Sequence, residues 1–169
     1  MSSLNIHPIQ LINIRDYPNV NEEMLTFVAK VIWDDREYAR LASNSFIRSL
    51  NGLEPDNTQY FFIVLNGNLY GIIGFYEMPE DRTVIGIAWS GVFLSARGTG
   101  IYKSALYHMM GYITNLYEEV QFIEELVPPG SQSIGVIHAF RKIGFEFYGI
   151  HTDNDPFYNN GTKLRITIK

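Results

Sequence analysis

The chain has 169 residues and a net charge of −5; 46% of its residues are hydrophobic and 18% charged. That balance supports a buried core and excludes a disordered chain, and an acidic sum with no basic stretch excludes nucleic acid as a natural partner. Cysteine is absent, which excludes disulfides, a thiolate nucleophile and a Cys-based zinc site; no metal is expected.

The length suits one domain over residues 1–169. The opening "MSSLNIHPIQLINIRDYP" lacks a basic region followed by an apolar core, so it does not read as a signal peptide. No apolar run reaches the roughly 18 residues a membrane span requires. The expectation is a cytoplasmic protein with no membrane partner.

Residues 5–14, "NIHPIQLINI", read as a first strand, with Pro8 arguing for an edge or an early bulge. "VNEEMLTFVAKVIWDD" (20–35) reads as a helix capped by Asn21, with Glu22 and Glu23 in the first turn and Leu25, Val28 and Ile32 on one face. A second helix follows over 36–50 and stops at "NGLEPDN". The period then changes to two. "QYFFIVL" (59–65) is apolar on both faces, "NGN" (66–68) is a hairpin signal, and "LYGIIGFYEM" (69–78) is the return strand. After the turn "PEDR" (79–82), "TVIGIAWSGVFL" (83–94) reads as one long strand, with Gly86 or Gly91 marking a bulge.

Beyond "SARGTG" (95–100), Ile101, Ala105, Met109, Tyr112 and Leu116 follow helical spacing. "VQFIEELV" (120–127) reads as a buried strand ended by "PPG". Ser131 or Ser133 then caps a short helix that closes at Gly144, and strands 145–151 and 163–169 finish the chain. The order β-α-α-β-β-β-α-β-α-β-β describes an α/β fold with a mixed sheet: an antiparallel meander followed by β-α-β-α-β-β, with helices on both faces. Eleven Phe, eleven Tyr and two Trp suit a ring-packed core or an aromatic-lined pocket.

The stretch between the long strand and the third helix carries the chemistry. A helix start offers unpaired N–H groups and a partial positive charge, and glycines just before it let a ligand approach the backbone. Together these make an anion site. A plain strand-to-helix turn is the alternative. Gly98 and Gly100 fit neither a P-loop nor a dinucleotide fingerprint.

"VFLSARGTGIYKSAL" (92–106) is similar to the acetyl-CoA loop Q/R-x-x-G-x-G/A of the GNAT superfamily of N-acetyltransferases, with Arg97 and Gly100 matching. "SIGVIHAFRKIGFEFYG" (133–149) resembles that family's later signature, with Gly144 and Phe145 matching. The element order resembles the family's three-layer fold over nearly the whole chain. The resemblance implies that the backbone N–H groups of Gly98, Thr99, Gly100, Ile101, Tyr102 and Lys103 cradle the coenzyme pyrophosphate, with Arg97 adjacent. It implies that Ser90, Val92 and Leu94 pair with the pantetheine arm between two splayed strands, and that a backbone N–H near Ser90 polarises the thioester. It implies an N-acetyltransferase that moves an acetyl group from acetyl-CoA to an amine by direct attack in a ternary complex. A catalytically silent CoA-binding module and a transferase for longer acyl-CoA are the alternatives.

The chain departs from the family pattern at Tyr102, Ser133, Val136 and Phe140. Ser133 and Phe140 still fall where the family contacts the coenzyme. Phe140 stands where many members place a Tyr that protonates the thiolate, and a phenyl ring has no proton to give. Residues 83–94 contain no Asp, Glu or His. Glu77, Glu124, Glu125 and His138 are the remaining proton-transfer candidates, with Glu125 the chosen base. Neighbours on one strand, Glu124 and Glu125 point to opposite faces. Tyr76 and Trp89 are candidates for the acceptor pocket. The acceptor itself is not specified, and the C-terminal strands leave room for a homodimer.

Overall fold

The computed structural model describes residues 8–130, 133–153 and 155–169. Residues 5–7 of the expected first strand and the candidate cap Ser131 lie outside them. The described residues form eight strands and four helices in a mixed α/β arrangement. They divide into two compact units, one running up to Tyr76 and including Ala88–Tyr112, the other formed by Glu77–Ile87 and Ile113–Lys169.

In the first unit, β1 (Gln10–Asn13) pairs antiparallel with β2 (Gln59–Leu65), and β2 pairs with β3 (Asn68–Glu77). Helices α1 (Glu22–Ile32) and α2 (Arg36–Leu50) lie between β1 and β2 in the chain. The Asn21 side chain accepts the Met24 N–H at 2.8 Å, and Asp35 accepts the Tyr38 N–H at 2.9 Å, so each helix starts at a side-chain cap. α1 buries Leu25, Val28, Ala29 and Ile32; α2 buries Phe46 together with Ala39, Ala42 and Ser43, small residues that let the two helices approach. The hairpin between β2 and β3 turns through Asn66 (φ 51°) and Gly67 (φ 78°), the two left-handed residues that its twist requires.

The expected single strand over 83–94 is two strands, β4 (Val84–Ile87) and β5 (Gly91–Val92), separated by an irregular step. The Ala88 N–H donates to the Gly74 carbonyl at 2.9 Å, and Gly91 pairs with Ile72. Going from Gly74 to Ile72 takes two residues on β3, whereas Ala88 to Gly91 takes three, so one residue is extra and the chain bulges at 88–90. The glycine adjoining the break is Gly91; Gly86 stays in the regular ladder of β4.

Helix α3 (Ile101–Leu116) belongs to the first unit as far as Tyr112. Its expected stripe is corrected at the far end. Ile101, Ala105 and Met109 are buried, but Tyr112 is 43% and Leu116 50% exposed. Ile113 continues the line at four-residue steps, and Leu106 and Met110 widen it.

In the second unit, β4 runs parallel to β6 (Phe122–Val127), β6 pairs antiparallel with β8 (Thr162–Thr167), and β8 pairs with β7 (Glu146–Ile150). Helix α4 (Ser133–Ile143) ends at Gly144, whose φ of 120° suits a residue without Cβ. The Phe145 N–H then returns to the Phe140 carbonyl at 3.1 Å and closes the helix.

Candidate functional site

Two left-handed glycines shape the start of α3. Gly98 has φ 75° and Gly100 φ 85°, conformations costly for any residue with a side chain. At Gly98 the surrounding space is open, so backbone conformation rather than crowding demands the glycine. The Gly100 carbonyl accepts the Ser104 N–H at 3.0 Å, which makes Gly100 the residue at the helix start. The Thr99 hydroxyl accepts the Ile101 N–H at 3.3 Å and donates to the Ala96 carbonyl. Among the described residues, the N–H groups of Gly98, Gly100 and Lys103 find no protein acceptor. A row of such donors at a helix start is suited to an anion.

Arg97 is held differently. Its guanidinium Nη2 donates at 2.7 Å to the Ile32 carbonyl at the last turn of α1. A cation there meets the negative end of a helix dipole, so this side chain ties the loop to α1. Ile101 is buried, Tyr102 is half-buried, and the Lys103 ammonium lies 5.9 Å from the Tyr107 ring centre.

The bulge just before this loop has its own fixed geometry. The Ser90 Oγ accepts the Gly74 N–H at 3.1 Å and donates to the Ala88 carbonyl at 2.8 Å, so a side chain replaces the missing rung of the ladder. The Phe93 N–H bonds the Tyr70 carbonyl at 2.8 Å. Alternation along the strand therefore turns the Val92 N–H away from β3. Among the described residues, the Ser90 N–H has no protein acceptor. Leu94 leaves the extended path: it starts a short 3-10 turn over Leu94–Ala96, and its carbonyl accepts the Arg97 N–H at 3.2 Å.

Half-buried Trp89 meets Trp33 edge-on at 5.4 Å and Tyr38 at 6.0 Å between ring centres. Tyr76 is also half-buried. Sequence reasoning did not single out Trp33 or Tyr38. Their spacing in the chain carries no signal, because the rings converge only through the turn between α1 and α2.

In the second unit the two neighbouring glutamates differ sharply. Glu124 is buried and receives the Arg165 Nε at 2.6 Å, while the Arg165 guanidinium lies 3.5 Å from the Tyr148 ring centre. Its charge is answered on the spot. The Glu125 Oε2 is shut off from solvent and, among the described residues, has no hydrogen-bond partner. Burial pushes the Glu125 carboxyl well above its ordinary value of 4.5. Neither carboxylate is spread into solvent at a strand end. His138 is exposed on α4, Ser133 is buried at its first position, and Phe140 is buried with its ring edge-on to Phe145 at 5.0 Å. Among the described residues no cluster of three His, Asp or Glu side chains is placed to hold a metal ion, and no helix is long and apolar enough to cross a membrane.

Solved structures share this architecture. A protein assigned to the GNAT family of acetyltransferases from Desulfovibrio desulfuricans superposes with a TM-score of 0.77 at 10% identity, over 95% of this chain and 99% of the other. The chain has the GNAT fold. The N-acetyltransferase PseH of Campylobacter jejuni, solved with acetyl coenzyme A, gives 0.63 at 15% identity over 95% and 99% of the two chains. The aminoglycoside acetyltransferase AAC(6')-Ib, solved with coenzyme A, gives 0.67 at 18% identity over 95% of each. No family model and no curated protein matches the sequence. On this GNAT fold the glycine pair and the bulge occupy successive positions along one strand–loop–helix segment, residues 88–103.

Proposed function

We propose that this chain is an N-acetyltransferase that uses acetyl-CoA as co-substrate. The observation that carries the reading is the pair of left-handed glycines opening α3, with N–H groups that have no protein acceptor. The backbone from Gly98 to Lys103 holds the pyrophosphate. The N–H of Val92 pairs with the pantetheine arm as a further strand would. Leu94, already in its turn, contributes only its exposed side chain. The Ser90 N–H donates to the thioester oxygen as charge develops there.

The acceptor amine attacks the acetyl carbon with its lone pair. A C–N bond forms, the C–S bond breaks, and the sulfur leaves with its electrons. The attacking nitrogen loses one proton and the thiolate gains one, giving an amide and free CoA. No covalent enzyme intermediate is needed. Glu125 is the candidate for the proton-transfer role, since a carboxyl raised by burial is a stronger base once ionised. The proposal covers a single domain over residues 1–169 working in the cytoplasm on a small-molecule or peptide amine.

Phe140 favours a second reading. Packed against Phe145, it has no proton to give a thiolate, as suits a module that binds CoA without transfer. Release of free thiol separates the two. Acetyl-CoA, and separately a longer acyl-CoA, is mixed with the protein and a panel of polyamines, aminoglycosides and amino sugars. Thiol release with any amine supports transfer. Tight CoA binding by calorimetry with no release supports the silent module, and absence of CoA binding overturns both.

A further inference from the structure

The first unit holds a buried polar chain that the proposed chemistry does not yet use. Arg48 Nε pairs with Glu54 Oε1, and the Ser45 hydroxyl donates to Glu54 Oε2 at 2.8 Å. A serine hydroxyl has one proton, so with that proton given to the carboxylate its oxygen must act as acceptor on the other side. The Tyr60 hydroxyl sits there at 2.6 Å and donates to it. The direction of each bond follows from the carboxylate at the far end: Tyr60 to Ser45, Ser45 to Glu54. Chains of this kind polarise one another in a dry interior, and Ser45 and Tyr60 are 4% and 1% exposed.

The sheet is built around this chain. Tyr60 stands opposite Gly74 on β3. A Cβ at position 74 would lie 2.4 Å from Tyr60 Cδ1 and 2.6 Å from the Gln59 carbonyl. The missing side chain leaves room for the tyrosine ring to cross towards the bulge. The same glycine holds the bulge from its backbone, accepting from Ala88 and donating to Ser90 Oγ. The Ala88 N–H is thus fixed inside the protein. The N–H of Ser90 has no acceptor among the described residues.

We propose that Arg48, Glu54, Ser45 and Tyr60 form a positioning relay that holds the Tyr60 ring against Gly74, the residue that grips the bulge, and so keeps the Ser90 N–H aimed at the acetyl carbonyl. The proposal rests on the acetyltransferase reading. Tyr60 touches no reacting atom; it acts through the bulge.

Isotope-edited infrared spectroscopy with acetyl-CoA labelled by 13C at the carbonyl tests it without an acceptor. In the unaltered protein the carbonyl stretch of bound acetyl-CoA falls below that of the free ester. Tyr60→Phe keeps the ring and removes the oxygen. It returns the stretch at least half way to the free value, while the Kd for CoA by calorimetry stays within threefold. Glu54→Gln, at the outer end of the chain, gives a smaller return in the same direction and supplies the readout if Tyr60→Phe does not fold. A merely structural role for Tyr60 would lower the melting temperature and leave the stretch of the bound ester where it was. Absence of acetyl-CoA binding to the unaltered protein overturns the acetyltransferase reading and the relay with it. Binding without a lowered stretch, or with a stretch that neither substitution moves, overturns the relay alone.

Discussion

Residues 88–103 and residues 122–145 do different kinds of work. In the first stretch the backbone is the active part. Ser90, Val92, Gly98 and Gly100 offer N–H groups, and the side chains around them serve to hold that backbone in shape. In the second stretch side chains carry the features of interest. Among the described residues, Glu125 has a buried, unpartnered oxygen, Glu124 is answered by Arg165, and Phe140 packs on Phe145. Binding through backbone depends on where the chain bends; proton chemistry depends on which polar atoms folding strands away from water. Substitutions in the two stretches should therefore separate coenzyme affinity from stability and proton transfer.

The largest effect is expected at Phe140. Phe140→Ala opens a cavity beside Phe145 and costs about 3–5 kcal/mol of stability, read by chemical denaturation. If Phe140 instead acted as a coenzyme contact with no share in the core, the same change would weaken CoA binding and leave the denaturation midpoint in place. Next come the glycines. Gly98→Val or Gly100→Val forces a β-branched residue into the left-handed region, a strain of roughly 1–3 kcal/mol. The loop escapes it by changing shape, so the calorimetric Kd for CoA rises about tenfold or more while the far-ultraviolet circular dichroism is unchanged. Equal CoA affinity in these variants would mean that the loop is only a turn.

Arg97 sharpens the comparison from within the first stretch. Because its guanidinium is spent on the Ile32 carbonyl, Arg97→Ala should cost about 0.5–2 kcal/mol of stability, in line with a cation removed from a helix end. CoA affinity should fall less than in the glycine variants. A larger fall in affinity would place the Arg97 charge on the pyrophosphate.

The smallest effect is expected at Glu125, and pH reveals it. Its carboxyl is raised in the folded protein above the ordinary 4.5. Between those two values the unfolded chain has released the proton that the folded chain keeps. The unfolded state therefore binds fewer protons, and this group makes stability fall as pH rises from about 4.5 towards the folded value. Glu125→Gln removes that penalty. The variant should melt higher than the unaltered protein at pH 7, with the gap closing as pH falls to 4. A gap of constant size, or of opposite sign, would show that Glu125 is ionised and paired.

The contrast between the stretches also governs what could be read in the sequence. Asn21, the "NGN" hairpin and Gly144 announce local geometry with local residue types, and each lies where expected. Gly98 and Gly100 belong to that class, and both adopt the left-handed backbone expected of glycines just before a helix. The division of 83–94 could not. It depends on Ser90 Oγ reaching Gly74 across the sheet, and nothing in "AWSG" fixes that partner. The relay through Ser45 and Tyr60 was hidden for the same reason: the two residues are 15 apart in the chain, and the apolar run around Tyr60 reads simply as core. The unlike surroundings of Glu124 and Glu125 depend on Arg165, 41 residues further on. Strand alternation separates the two glutamates but does not say which of them finds a cation.

A backbone that grips the coenzyme pyrophosphate at the start of α3 must show the added charge at its own amides. Titration of the 15N-labelled protein with CoA, followed by amide NMR, tests that grip most directly. The N–H signals of Gly98, Gly100 and Lys103 should move downfield together and saturate at one Kd, the behaviour of donors that have gained a charged acceptor. CoA binding that leaves those three signals in place, or no binding at all, would contradict it.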